Sequence, residues 1–548
     1  MLPVNPTIPS VLAQTVARCP ENIAIVEDGM SLNYAELERR ALRVTRALMA
    51  QGIEAGDRVA LWAPNSAAWI IAALGIHLAG AALVPANTRM KGAEIGYMLG
   101  KSRASLIFVA GDFLGTYYPD LLDGHTPATL RKIVVLDGFA ARDAASAWEA
   151  FLASGDTVSE AAARQRSEAV TPTMLSDIMF TSGTTGNPKG VMTTHGQNLR
   201  SIHDWAVEMG LHEGDRYLMV NPFFHAFGYK VGWLVSVYIG LTMFPQQIFE
   251  ADCVLERIER ERISVLPGPP TVFYSLLASP QLAKTDLSSL RATITGASTI
   301  APSLIARMRE ALGFDIVLTG YGLTECCGTA TLSSPGDDAQ TVATTSGRAV
   351  KDVEIRVVDA AGQALPAGEP GEVLIRGYNV MQGYYDDDAA TREAIDGDGW
   401  LHTGDVGYLD ERGYLKLTDR LKDLFIVGGF NCYPAEIEKY ICEHPAVAQA
   451  AVVGVPDERM GEVGRAYIIL RHGVTLDGET LQAWCRANMA NYKVPRYIDF
   501  VTSYPTNASG KVLKRDLRKL ALAAVDPACV ALPDNATTRP VESRRVAS

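Results

Sequence analysis

The decapeptide TSGTTGNPKG, Thr181 to Gly190, gathers four hydroxyl side chains, three glycines and one lysine. Gly183, Gly186 and Gly190 let backbone N–H groups approach a ligand closely. Thr181, Ser182, Thr184 and Thr185 add hydroxyl donors, and Lys189 adds a point charge, so the stretch reads as a phosphate cradle. It is not a P-loop: Pro188 stands where that pattern needs its second glycine, and Gly190 replaces the Ser/Thr that would hold magnesium. The preceding run DIMF, Asp177–Phe180, reads as a strand, and strand ends are where open α/β sheets place ligands. On its own the loop equally suits a Gly/Thr-rich surface turn, so other segments must decide.

Working outward, 548 residues exceed what one core usually serves, and at least two domains are expected. A composition 48% hydrophobic and 20% charged is that of a globular enzyme. The net charge of −12 disfavours a general nucleic-acid binder, which needs a basic face. Eight cysteines without a C-x-x-C pair suggest neither a zinc site nor a disulfide framework, and a reducing cytoplasm fits. The start, MLPVNPTIPS, lacks a signal-peptide pattern. The apolar run WIIAALGIHLAGAALV, Trp69–Val84, contains His77 and is bracketed by Pro64 and Pro85. It predicts a buried helix entering a core strand, not a transmembrane segment.

Upstream of the loop, helical periodicity (YAELERRALRVTRALMAQG) alternates with short apolar runs (RVALWA, KIVVLDG), which predicts parallel sheets in an α/β fold. Downstream, RISVLPGPPTVF, RATITGAS and DIVLTGYGLTE are short runs ending in Gly or Pro, read as strands lining one site. From Gly347, VEIRVVDAAGQALPAGEPGEVLIRG predicts paired strands of a small antiparallel sheet or barrel. Past DRLKD lies a separate α+β stretch of domain size. The expected division is 1–420, 421–525 and a loose tail, 526–548.

TSGTTGNPKG, GYGLTE, WLHTGD, DRLKDLFIVGGFNCYPAEIE and NASGKVLKRDL occur in that order. Together they resemble the acyl- and aryl-CoA synthetases of the adenylate-forming superfamily, over roughly residues 10–520. The resemblance implies a large N-terminal domain with a barrel-like subdomain and a small mobile C-terminal domain. It implies a carboxylic acid activated by ATP as an acyl adenylate, then transferred to coenzyme A, with Mg²⁺ assisting.

By the same resemblance, Thr181 to Lys189 holds the β- and γ-phosphates. Gly296, Ala297 and Ser298 border adenine and acid. In Gly320, Tyr321 and Gly322 the tyrosine stacks on adenine, Thr324 touches the α-phosphate and Glu325 binds Mg²⁺. Asp405 and Arg420 take the ribose, Lys511 serves adenylation, Lys422 is the hinge, and Gly428, Gly429 and Phe430 form the coenzyme A tunnel. Cys432 reads as a small space-filler. His225 in NPFFHAFGYK gates the acid, and Tyr229, Lys230 and Trp233 are candidates for a polar acyl wall. NPFFHAFGYK, LPGPPTVFYSLL, VLTGYGLTE and VATTSGR are most similar to actinobacterial CoA ligases of steroid degradation, which act on a ring-borne propanoate. Medium- or long-chain fatty acids, aryl acids and a separate carrier protein remain alternatives, and a homo-oligomer stays open.

Overall fold

In the computed structural model the described residues are 6–142, 147–181, 187–296, 302–420, 425–432, 434–471, 473–505, 512 and 514–525. The chain falls into two compact units. The larger carries Met1–Thr88, Ile95–Thr181 and Lys189–Asp419, and the smaller is chiefly Arg420–Ser548.

A seven-stranded sheet runs in the order Gly383–Tyr384, Lys189–Thr194, Leu175–Thr181, Ala82–Pro85, Arg58–Trp62, Leu106–Val109, Lys132–Val135. The last five strands are mutually parallel, and the first two add an antiparallel edge. Ala82–Pro85 and Leu106–Val109 are buried throughout, so they read as unbroken apolar runs without alternation. Between Ala82–Pro85 and the helix layer lies Ala67–Leu78, capped by the Ser66 hydroxyl and buried at all twelve positions. It presses on the helix Tyr34–Ala50 so closely that a Cβ at Gly75 would come within 2.4 Å of Val44 Cγ1. The buried helix and core strand expected from Trp69–Val84 are present.

A second parallel set holds Arg216–Met219, Thr242–Pro245 and Ile23–Glu27, and a third holds Ala292–Gly296 and Ile316–Tyr321. The strand expected in RISVLPGPPTVF reduces to Val265, which bridges Tyr217 on one side and Ala292 on the other. Pro267, Pro269 and Pro270 have no N–H to extend the ladder, and Pro270 instead opens the helix Pro270–Ala278. Val353–Val358 and Gly371–Gly377 pair antiparallel as expected, inside a four-stranded sheet with Leu401–Leu409 and Leu415–Arg420.

The smaller unit is a five-stranded sheet of Phe430–Cys432, Phe425–Val427, Gly461–Leu470, Val447–Asp457 and Tyr497–Phe500. Helices Pro434–Cys442 and Gly478–Asn488 contribute Ile437, Ile441 and Leu481 to one apolar cluster, and Lys514–Val525 contributes Leu517 and Ala521 to another. Trp484 packs edge-on against His444 at 5.4 Å.

Candidate active site

Leu175–Thr181 ends where the motif begins, and the chain returns as its antiparallel neighbour, with Lys189 opposite Thr181. Ser182, Gly183, Thr184, Thr185 and Gly186 lie outside the described residues. Gly190 has a steric reason of its own, since a Cβ there would stand 2.7 Å from Ile178 Cγ2.

Glu325 sits in a short turn, Thr324–Cys326, and meets the hairpin. Its Oε1 accepts hydrogen bonds from Thr181 Oγ1 at 3.3 Å and from Tyr384 Oη at 3.0 Å. Tyr384 is brought there by strand pairing with Val191, and its ring lies under Lys189 Nζ, 4.9 Å from the centroid. Four residues more than 200 positions apart at the extremes thus form one group. Among the described residues, no ion pair neutralises the Glu325 carboxylate. Sequence reasoning missed Tyr384; the only signal was an aromatic pair after glycine in QGYY. The neighbouring Cys326 and Cys327 are no nucleophiles, because burial pushes their thiols up to about 12 and about 11.

Tyr321 and Asp405, 84 residues apart, also meet: the tyrosine hydroxyl donates to Asp405 Oδ2 at 2.6 Å. Burial, then the carboxylate's charge, hold that phenol far above its ordinary range, so it stays a donor. Gly296 and Gly320 are paired partners on adjacent parallel strands. Gly320 and Gly322 are required by the protein's own packing. A Cβ at Gly320 would be 2.8 Å from the Thr331 carbonyl oxygen, and one at Gly322 would be 2.3 Å from that of Gly328. Ala297 and Ser298 lie outside the described residues.

His225 caps a short helical turn, its Nδ1 accepting the Phe227 N–H at 3.3 Å. The residue is exposed, and desolvation by the surrounding protein lowers its pKa from the ordinary imidazole value. Tyr229, Lys230 and Trp233, the candidates for a polar acyl wall, are all fully buried among protein partners. They lie on a stretch of π-helix, Tyr229–Leu234, whose wider turn brings them inward. Tyr229 shares a hydrogen bond of 2.9 Å with His77 Nε2 and stacks on Trp233 at 5.0 Å. Lys230 donates to Thr193 Oγ1 at 3.1 Å and pairs with Asp177 Oδ1 at 3.5 Å. Asp177 further accepts from Ser176, Thr193 and Asn198. A lysine in an apolar stretch gave no hint of a buried partner 53 positions earlier.

In the smaller unit, Gly428 and Gly429 have φ of +54° and +86° and form the two-residue turn between Val427 and Phe430. Such a hairpin turn favours residues free to take positive φ. Phe430 stacks on Tyr492 at 4.7 Å. Cys432 is a core filler, as expected, its Sγ donating to the Tyr492 carbonyl. Arg420 ends the strand Leu415–Arg420. Lys422 and Lys511 lie outside the described residues. No helix among the described residues is long and apolar enough to cross a membrane.

The AMP-binding enzyme family model matches residues 12–385, and the AMP-binding enzyme C-terminal domain model matches residues 436–511. The chain is 46% identical over 517 residues to the 3-[(3aS,4S,7aS)-7a-methyl-1,5-dioxo-octahydro-1H-inden-4-yl]propanoyl:CoA ligase of Rhodococcus jostii (strain RHA1), covering 94% of this chain and 98% of that one. It is 47% identical over 514 residues to the ligase of the same name in Mycobacterium tuberculosis (strain ATCC 25618 / H37Rv), with 94% and 99% covered. Among solved structures it resembles o-succinylbenzoate CoA synthetase from Bacillus subtilis, with a TM-score of 0.78, 28% identity, and 94% and 98% of the two chains covered. The chain belongs to the AMP-binding enzyme family, as an ATP-dependent acid-thiol ligase that makes an acyl-CoA by way of an acyl adenylate.

Proposed function

We propose that the acid this ligase activates is a propanoate carried on an oxo-bearing bicyclic ring. The observation that carries the reading is identity of 46% and 47%, over 94% of the chain, to two ligases whose names specify such an acid. A panel of ring propanoates, fatty acids and aryl acids, scored by coenzyme A-dependent AMP release, tests it. The ring propanoate should give the highest kcat/KM; a fatty or aryl acid surpassing it refutes the assignment.

In the proposed mechanism the acid enters past His225. A carboxylate oxygen attacks the α-phosphorus of ATP, giving acyl adenylate and pyrophosphate, and the coenzyme A thiolate then attacks the acyl carbon and expels AMP. Charge develops on phosphoryl oxygens in the first step, so positioned donors and cations do most of the work. Lys189 and the glycine loop take the β- and γ-phosphates, Thr324 the α-phosphate, and Lys511 the carboxylate and α-phosphate. Tyr321 lies against adenine, and Asp405 with Arg420 takes the ribose hydroxyls. Lys422 is the hinge between half-reactions, and Gly428 to Phe430 meets the pantetheine.

Glu325 is the residue that would hold Mg²⁺. Its Oε1 meets two neutral donors, and a lone carboxylate suits a cation that takes its remaining oxygens from phosphate and water. When bound, Mg²⁺ supplies charge neutralisation for the phosphates.

A further inference from the structure

The ladder between Gly371–Gly377 and Leu401–Leu409 breaks at one place. Glu372 pairs with Val406 and Leu374 pairs with His402, so Val373 alone faces Thr403, Gly404 and Asp405. A bulge of this kind re-aims side chains, and here Gly404 accommodates it with φ of +68°. The hydrogen bonds that the ladder loses are remade by side chains. Thr403 Oγ1 donates to the Val373 carbonyl at 2.6 Å and accepts the Asp405 N–H at 3.1 Å. Glu372 Oε1 accepts the Gly404 N–H at 3.2 Å, while Oε2 meets His402 Nδ1 at 3.1 Å. The far nitrogen of that ring, Nε2, lies 3.8 Å from Asp396. The outcome is that Asp405 turns inward, 4% exposed, onto the Tyr321 hydroxyl.

We infer that Glu372 is a positioning residue for Asp405: its carboxylate, steadied by His402, closes the bulge and fixes the angle at which Asp405 meets the nucleotide. The inference rests on the reading of Asp405 as the acceptor of the ribose hydroxyls. Neither Glu372 nor His402 touches substrate in this scheme; both act through the backbone of Gly404.

The test compares kcat/KM for ATP with that for 2′,3′-dideoxyATP, which lacks the hydroxyls Asp405 would accept, in Glu372→Ala, Glu372→Gln and Asp405→Ala. Glu372→Ala should lower the preference for ATP by about tenfold, the size of one impaired hydrogen bond to a charged group, mainly through KM. Glu372→Gln should restore the preference, because its amide oxygen can still accept the Gly404 N–H. A merely structural role would depress both nucleotides equally and leave the ratio where it was. If Asp405→Ala abolishes the preference while Glu372→Ala keeps it, the positioning role is overturned and the ribose reading stands. If Asp405→Ala itself keeps the preference, the ribose reading fails and takes the inference with it. Should Glu372→Ala not fold, His402→Ala should reduce the ratio in the same direction, and an unchanged ratio there overturns the proposal.

Discussion

Lys189 stands over the ring of Tyr384, and the hydroxyl of that ring holds Glu325, so the cation and the carboxylate share one support. The two functions separate by substitution. Lys189→Ala removes a cation from the proposed phosphate site and should lower kcat/KM for ATP by about a hundredfold. Tyr384→Phe keeps the ring under Lys189 but removes one donor from Glu325, at about 1 kcal/mol. It should therefore cost far less in ATP use and should show itself in the Mg²⁺ dependence of adenylation. Steady-state kinetics with varied ATP and Mg²⁺ check both, and equal losses in the two variants would contradict the division of labour. Lys189 and Glu325 were legible because each lies in a dense motif. Tyr384 was not, because only strand pairing with Val191 brings it near, and pairing partners cannot be read from one strand alone.

The hairpin strands Leu175–Thr181 and Lys189–Thr194 are fastened to the π-helical stretch by the pair Asp177–Lys230, both fully buried. Lys230→Met would strand the Asp177 carboxylate in the interior and should destabilise the fold by about 3–5 kcal/mol in urea titration. Adding Asp177→Asn removes the orphaned charge and should recover much of the loss; no recovery would mean that the pair is not what holds these elements. Another element junction sets a pH dependence. Glu27, at the end of Ile23–Glu27, accepts the N–H of Ala67, the first residue of the buried helix. Desolvation lifts its carboxyl from 4.5 to about 7. Between those values the folded protein holds a proton that the unfolded chain has released, so this contribution is full below pH 4.5 and is lost as pH rises through 7. Glu27→Gln cannot titrate, and its stability relative to the parent should rise across that window in matched urea titrations. A constant difference would show that Glu27 is not the group involved. Strands and helices with strong periodicity were legible at this scale, including Tyr34–Ala50 and Ala292–Gly296. Val265 was not, since its β-branched run promised a strand that three nearby prolines cannot complete.

At the scale of the molecule, ordered motifs made the family and the α/β class legible, while the acid is carried by likeness to relatives. The burial of Tyr229 and Lys230 was not legible for a physical reason: they lie on a π-helical stretch and meet the distant partners His77 and Asp177, and neither is written in local periodicity. The two-step scheme predicts a separable defect. Lys511→Ala should slow acyl-adenylate formation by about a hundredfold, the usual loss when one donor to a developing charge is removed. It should leave conversion of supplied acyl adenylate and coenzyme A to thioester intact. Rapid-quench assays of each half-reaction decide it, and equal damage to both would rule out a role confined to the first.

The lone indole packed on His444 has an optical meaning. Six of the seven tryptophans fall before residue 420, and only Trp484 belongs to the smaller unit. Trp484→Phe therefore leaves an emission that comes wholly from the larger unit, and subtracting it from the parent's isolates one lamp in the smaller. With no label attached, the difference spectrum reports whether the two units melt together or in turn.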